Sequence, residues 1–278
     1  MKICLTTLSE TTACPGVFLA EWGLSILVET DAVSILLDTG QSISAAYNAD
    51  ILGIDLSKID KIVLSHGHYD HTGGLRSILR KMKKEIEIIA HPDVWAAKYR
   101  CREQDYSYIG IPFQRQELES LGANFKLTTK PLKITNSITT TGEVPMVTDF
   151  EEIEPDRFFV KGENGWQPDK LLDDQAIIIN TEQGLVVILG CAHRGIINTL
   201  YHAQQVAGVK RIYMVVGGCH LYSASKERVR LTIAALKELG VQKVGVSHCT
   251  GLAPATLMSQ ELGDRFFFNN SGTSINLP

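Results

Sequence analysis

The sequence predicts an α/β sandwich, with two packed β-sheets and helices on their outer faces. Short apolar runs rich in β-branched residues recur in both halves, and segments with helical spacing separate them. The second half restarts with strand-like runs at 175–180 and 184–190, much as the first begins with strands over 2–40. At 278 residues, 44% hydrophobic and 21% charged, the chain can bury an ample core and has an ordinary globular composition.

The elements follow in order. Leu24-Ser25-Ile26-Leu27-Val28 and Val33-Ser34-Ile35-Leu36-Leu37 form a hairpin through Glu29-Thr30-Asp31-Ala32, and Asp38-Thr39-Gly40 ends its second strand. A helix carries Ile43, Ala46, Tyr47 and Leu52 at helical spacing. Residues 53–60 turn the chain into the strand Lys61-Ile62-Val63-Leu64. A helix starting near Thr72 places Leu75, Ile78, Leu79 and Met82 on one face. A strand at 86–90 closes at His91-Pro92. Residues 99–115 read as irregular and aromatic, with Tyr99, Tyr106, Tyr108 and Phe113, and 123–141 supply two or three short strands. The polar stretch 144–174, holding Pro145, Pro155, Gly162, Gly165, Trp166 and Pro168, reads as a long loop or lid over a site. After the strands at 175–190 come a helix beyond Gly195, a strand at 211–216 and a helix at 226–239. A strand at 243–247, a helix at 254–262 and a strand at 265–268 precede a Gly-bearing tail. No short repeat or low-complexity linker interrupts the chain. One compact domain over 1–278, with a lid-like insertion around 144–174, is expected.

The net charge of −4 offers no basic footprint for nucleic acid. No apolar run is long enough to span a bilayer. Met1-Lys2-Ile3-Cys4-Leu5 runs straight into a strand without a secretory leader, and the six cysteines form no CxxC pair. A reducing cytoplasm is the expected location, and a small-molecule substrate the expected partner. Association into a homo-oligomer stays open.

The densest chemistry lies in Ser65-His66-Gly67-His68-Tyr69-Asp70-His71-Thr72-Gly73-Gly74, a strand-to-helix turn. Imidazole and carboxylate form the ligand set for zinc, iron or manganese, and four such groups crowd six positions. In an extended turn His66 and His68 point the same way, while Asp70 and His71 can diverge toward a second ion. His193, His220 and His248 each follow a predicted strand, so all three can converge with the turn on one cleft. His91 and His202 read as structural. Cys191, Cys219 and Cys249 read as small buried hydrophobes. Gly73-Gly74, at a helix N-terminus, offers a weak phosphate-binding signal.

The pattern HxHxDH resembles the metallo-β-lactamase superfamily. Leu37-Asp38-Thr39-Gly40, Asp173-Asp174-Gln175-Ala176, Gly190-Cys191-Ala192-His193, Gly217-Gly218-Cys219-His220-Leu221 and Ser247-His248-Cys249-Thr250-Gly251 extend the likeness along nearly the whole chain. All but the last of these, with Glu21-Trp22-Gly23-Leu24-Ser25 and the histidine turn, are similar to the subgroup labelled dihydropterin-ribofuranosylaminobenzene phosphate synthase-like. The resemblance implies a four-layer αββα sandwich of two mixed sheets. It implies two divalent metal ions, zinc foremost and iron or manganese as alternatives. His66, His68 and His193 would hold the first ion; Asp70, His71 and His248 the second; Asp38 would brace the histidine turn. The place where the superfamily usually sets an Asp reads Gly217-Gly218-Cys219-His220-Leu221, without a carboxylate. There His220 or Cys219 would substitute as a ligand, or His220 would act as acid/base or bind substrate.

An ion held by neutral imidazoles lowers the pKa of bound water from about 16 to about 7, which suits hydrolysis at neutral pH. Asp70 would also orient the nucleophile. The expected function is a metal-dependent hydrolase of a small, anionic phosphoester or lactone-like molecule. A metal-dependent transferase in pterin cofactor biosynthesis is the alternative, and a non-catalytic metal-binding sensor a third. A di-iron oxidoreductase lacks room for a flavodoxin-like segment, and a nuclease lacks an evident RNA-gripping domain.

Overall fold

The computed structural model describes residues 2–154, 156–163 and 165–277; Met1, Pro278, and Pro155 and Asn164 of the expected lid lie outside them. The first half lays down β1 (Ile3–Ser9), β2 (Ser25–Thr30), β3 (Ser34–Leu37), β4 (Lys61–Val63) and β5 (Ile86–Ala90). The hairpin pairs β2 with β3, Ile26 opposite Leu37. From β3 onward the strands run parallel, so each needs a crossover. Helices α1 (Ser44–Ile51), α2 (Tyr69–Thr72) and α3 (Leu75–Met82) lie in those crossovers. Next come the β6 (Lys98–Arg102) and β7 (Asp105–Tyr108) pair, helix α4 (Arg115–Ser120), then β8 (Ala123–Leu127) and β9 (Ile138–Thr140). A second excursion forms β10 (Phe158–Gly162) and β11 (Gly165–Pro168). The second half then builds β12 (Ala176–Thr181), β13 (Gly184–Leu189), helix α5 (Ile196–Ala207) and β14 (Ile212–Gly218). Helix α6 (Lys226–Glu238), β15 (Lys243–Ser247), helix α7 (Leu252–Leu262), β16 (Phe266–Phe268) and β17 (Ser274–Leu277) complete it.

One sheet has the order β17-β1-β2-β3-β4-β5-β8 and the other β16-β15-β14-β13-β12-β9; both mix parallel and antiparallel pairs. Their facing sides bury Ile26, Ile35 and Val63 against Ile177, Val186 and Val216. On the outer face of the first sheet, Leu36 and Ile62 pack with Leu75, Ile78 and Leu79. On that of the second, Ile178 and Val187 pack with Ile197, Leu200, Ile233 and Met258. Strands with apolar side chains on both faces need cover on both, and the result is a four-layer αββα sandwich. No helix among the described residues is long and apolar enough to cross a membrane.

The structure departs from the sequence expectation in three places. Helix α1 buries Ala45, Ala46, Ala49 and Asn48 and leaves Ile43, Tyr47 and Ile51 exposed, at 58%, 39% and 42%. Small side chains let it sit close to β1, where Asn48 Nδ2 donates to the carbonyls of Leu8 at 2.7 Å and Leu19 at 2.8 Å. The Gly-bearing tail contributes β17, which pairs antiparallel with β1. The aromatic stretch and the expected lid form a third sheet, of order β11-β10-β6-β7. Its β6–β7 turn has Glu103 and Gln104 at φ 48° and 73°, a conformation usually announced by Asn-Gly. With neither residue present, the turn carries no hairpin signal.

Lys98 fastens this third sheet to the sandwich. Its ammonium is buried and donates to Asp169 at 2.8 Å and Asp173 at 2.9 Å. Burial opposes its charge, but the two carboxylates outweigh that and raise its pKa. Asp173 also accepts from the Gly67 amide of the histidine turn at 2.8 Å. Removing one member of a buried ion cluster costs about 3–5 kcal/mol, because the remaining charges stay buried unpaired. Lys98→Met is therefore expected to lower folding stability by about that amount in denaturant unfolding; an unchanged midpoint would show that the cluster does not hold the sheet in place.

Candidate metal centre

Every side chain of the centre comes from the carboxyl end of a strand or the turn after it, the edge where ligands of parallel sheets gather. Four non-glycine residues there adopt left-handed backbone: Asp38 (φ 58°), Ala192 (51°), His220 (45°) and His248 (50°). Such residues cost about 1–3 kcal/mol each and persist where surrounding contacts fix them. The clearest such contacts belong to Asp38, fully buried beyond β3. One of its oxygens accepts from the Ser65 amide at 2.7 Å. The other accepts from Ser65 Oγ at 2.6 Å and lies 2.6 Å from His71 Nδ1. Ser65 Oγ in turn sits 2.9 Å from His66 Nδ1. These bonds turn Nε2 of both imidazoles inward, to 3.0 Å from His68 Nδ1 for His66 and 3.1 Å from Cys191 Sγ for His71.

Two trios result. The ligand atoms of His66, His68 and His193 lie within 4.8 Å of one another, as do those of Asp70, His71 and His248. Both ring nitrogens of His193, and Nε2 of His68 and His248, are buried without a hydrogen-bond partner. Buried orphan nitrogens are costly unless something meets them, and neutral imidazoles with one carboxylate fit a divalent cation such as zinc or iron.

The electrostatics agree. Burial holds His66, His68 and His193 well below the ordinary histidine range, so each keeps the lone pair that a ligand needs. Burial also opposes a charge on His71, but Asp38 and Asp70 outweigh it and push the pKa up to about 9. A cation at Nε2 would replace that proton. For Asp70, burial favours the acid; the His71 and His248 partners prevail and hold it well below the usual carboxylate range.

Neighbours to which the sequence reading gave no role orient these groups. Thr11 Oγ1 is 3.2 Å from His248 Nδ1, the Glu10 carboxylate accepts from the His248 amide, and the Trp22 ring lies 4.6 Å from the imidazole. Glu10 and Thr11 follow β1, more than 230 residues away in sequence, so no local motif announces them. Asp174 accepts from the Arg194 amide at 2.9 Å, and burial raises it to about 7. Gln175 Nε2 donates to the Leu64 carbonyl at 2.9 Å. The motif Asp173-Asp174-Gln175 thus braces both histidine-bearing loops.

His220 lies beside the first trio, its ring 4.0 Å from that of His193, with Nε2 3.1 Å from Glu154 and Nδ1 unpartnered. Burial lowers its pKa, yet Cys249 and Glu154 more than compensate and push it up to about 9. The Cys219 sulfur belongs to no ligand group among the described residues and packs in the core beneath the second sheet. Cys191 and Cys249, read from sequence as plain hydrophobes, do join such groups; their adjacency to His193 and His248 was the available signal. Gly73 and Gly74 are no phosphate cradle. A Cβ there would lie 2.0 Å from the Gln41 carbonyl and 1.9 Å from that of Thr39, and both amides already donate to carbonyls. His91 and His202 stand apart, against Glu143 and the Thr141 carbonyl.

The centre opens into a cleft of about 50 Å³ walled by Trp22, Tyr69, Arg100, Phe158 and Tyr222. A second, more apolar pocket of about 200 Å³ adjoins it and shares Trp22 and His248.

The family model of the metallo-beta-lactamase superfamily matches residues 23–196. The chain is 34% identical over 261 residues to 7,8-dihydropterin-6-methyl-4-(beta-D-ribofuranosyl)-aminobenzene-5'-phosphate synthase of Methanocaldococcus jannaschii, covering 90% of this chain and 87% of that one. Among solved structures, it superposes with TM-score 0.86 and 29% identity on a protein described as a metal-dependent hydrolase of the beta-lactamase superfamily, over 99% of each chain. A metallo-beta-lactamase-fold protein from Bacillus subtilis shares the fold at TM-score 0.62 and 13% identity, over 99% of each chain. By its sequence match, its fold and its kinship across nine-tenths of its length, the chain belongs to the metallo-beta-lactamase superfamily.

Proposed function

We propose that the chain is a metal-dependent hydrolase of a small anionic ester, a phosphoester or a lactone-like molecule. The observation that carries this reading is the pairing of two ligand trios with a cleft that presents Arg100 beside His68 and Asp70. In it, His66, His68 and His193 would hold one divalent ion, zinc foremost, and Asp70, His71 and His248 the other. Such ions supply Lewis acidity and lower the pKa of an adjacent water. Asp70 Oδ2, 3.2 Å from His248 Nε2 and 3.9 Å from His71 Nε2, would fix the direction of an attacking water. Glu154 holds His220 through Nε2, and the unpartnered Nδ1 would donate a proton to the leaving oxygen. Arg100 receives the substrate's negative charge, and the aromatic walls limit water around the reacting bond.

A second reading, transfer in place of hydrolysis, is favoured by the adjoining pocket behind the Trp22–His248 wall and by the synthase relative. Two neighbouring pockets suit two substrates, one flat and apolar, one phosphorylated. Steady-state kinetics distinguish the readings. Release of acid or alcohol from phosphoesters or lactones alone supports hydrolysis; turnover that needs a pterin donor and an aminobenzene ribose phosphate together supports transfer.

Protein purified without added metal is expected to carry about two ions per chain by elemental analysis, and His68→Ala to lose about one or more. Near-zero content in the parent, unrecovered with zinc, iron or manganese, would overturn the metalloenzyme reading. Arg100→Met should raise KM for an anionic substrate about ten- to hundredfold with kcat nearly constant. His220→Asn should instead lower kcat by about 10²–10⁴-fold. Equal losses on an uncharged lactone would remove Arg100 from anion binding.

A further inference from the structure

The two trios leave one group at their junction without a role. We propose that Cys191 Sγ is a ligand shared between the two ion positions, a thiolate bridge at the middle of the centre. The proposal rests on the dinuclear reading above.

Its geometric basis is the set of atoms that the sulfur reaches. Cys191 forms one close group with His66 and His71, another with His193 and His220, and a third with His248 and Cys249, each within 4.8 Å. Two of those partners, His66 and His193, belong to the first trio, and two, His71 and His248, to the second. Among the described residues outside the trios, no other side chain shares ligand groups with members of both. Cys249 enters only the third group, and its sulfur is taken up by the His220 amide at 3.3 Å and the Cys191 carbonyl at 3.6 Å.

The chain is shaped to deliver this sulfur. A Cβ on Gly190 would lie 2.0 Å from Ser65 Oγ, so only glycine lets the loop press against the Asp38–Ser65 brace. Ala192, at φ 51°, then turns the backbone so that Cys191 and His193 both face the cluster. The charge balance asks for an anion at this point. Two dications side by side repel strongly, and Asp70 is the one carboxylate in the ligand groups of the described residues. A shared thiolate offsets both charges at once. Sulfur also narrows the choice of ion, since soft thiolate favours zinc, iron or cobalt over manganese and magnesium.

Cobalt(II) replacement tests this without reference to turnover. The metal-free chain is loaded with cobalt alone, and bound equivalents are measured with the near-ultraviolet spectrum, where sulfur-to-cobalt charge transfer absorbs. The parent is expected to bind about two equivalents with that band. Cys191→Ser should lose the band and hold at least one ion about tenfold or more weaker, while Cys249→Ser keeps the band. Cys191→Asp, which returns an anion of similar reach, should keep both ions without the band; it also stands in should the serine variant not fold. Persistence of the band in Cys191→Ser or Cys191→Asp, or its loss in Cys249→Ser alone, would overturn the assignment. Two equivalents in the parent without a band would overturn thiolate ligation and leave the dinuclear reading intact. A folded parent that binds no cobalt would overturn the dinuclear reading itself.

Discussion

The centre depends on one buried carboxylate. Asp38 leaves β3 in a left-handed conformation and spends both oxygens on the histidine turn, fixing the Ser65 amide, the Ser65 hydroxyl and His71 Nδ1 together. Holding one nitrogen of an imidazole turns the other inward, and Asp38 holds that of His71 directly and that of His66 through Ser65. Its own confinement is complete: it is fully buried, and its amide and carbonyl bond to Val63 and Ser25. The cost of the strained backbone is thus carried by the two strands that flank it.

The same logic repeats around the rim. His248 is strained, and its side chain is held by Thr11 while Glu10 holds its amide. His220 is strained, and Glu154 holds its ring. In both cases the side chain's direction is set by a group from a distant segment, so the cluster keeps its shape while His68 Nε2, both nitrogens of His193, His220 Nδ1 and His248 Nε2 have no hydrogen-bond partner. Orphaned lone pairs facing each other are unfavourable in a folded chain, and this one maintains them by over-determining the backbone around them.

Much of this was legible in the sequence because it is local. The βα alternation has the right periods, and His66, His68, Asp70 and His71 fall in one turn. Histidines after later strands converge because parallel strands end on the same edge. What escaped was non-local or carried no side-chain signal. Helix α1 stands where the spacing predicts it, but its buried face escaped because close approach to β1 rewards alanine over isoleucine and tyrosine. The third sheet pairs β6 with β10, nearly sixty residues later, and its β6–β7 turn uses Glu103 and Gln104 where glycine or asparagine would be the cue. The sulfur of Cys191 meets a histidine 120 positions away. Composition gives a buried cysteine no mark to tell a ligand from filler.

The third sheet also brings a cationic side chain to the cleft. On β6, alternation sends Lys98 and Arg100 to the same side. Lys98 reaches through Asp173 to the Gly67 amide of the histidine turn, while Arg100 lines the cleft. Tyr99, on the opposite side, packs its ring edge-on against Tyr108 and Trp166 and keeps the sheet rigid. A single strand therefore registers a cleft-lining arginine against the histidine turn through one buried ion cluster. The two trios sit on strand ends that the fold cannot move without losing its brace. Arg100 sits on an appended sheet, and the Lys98 cluster fixes where that sheet stands against them. A fixed centre with a separate element at its rim is how one fold hosts many chemistries.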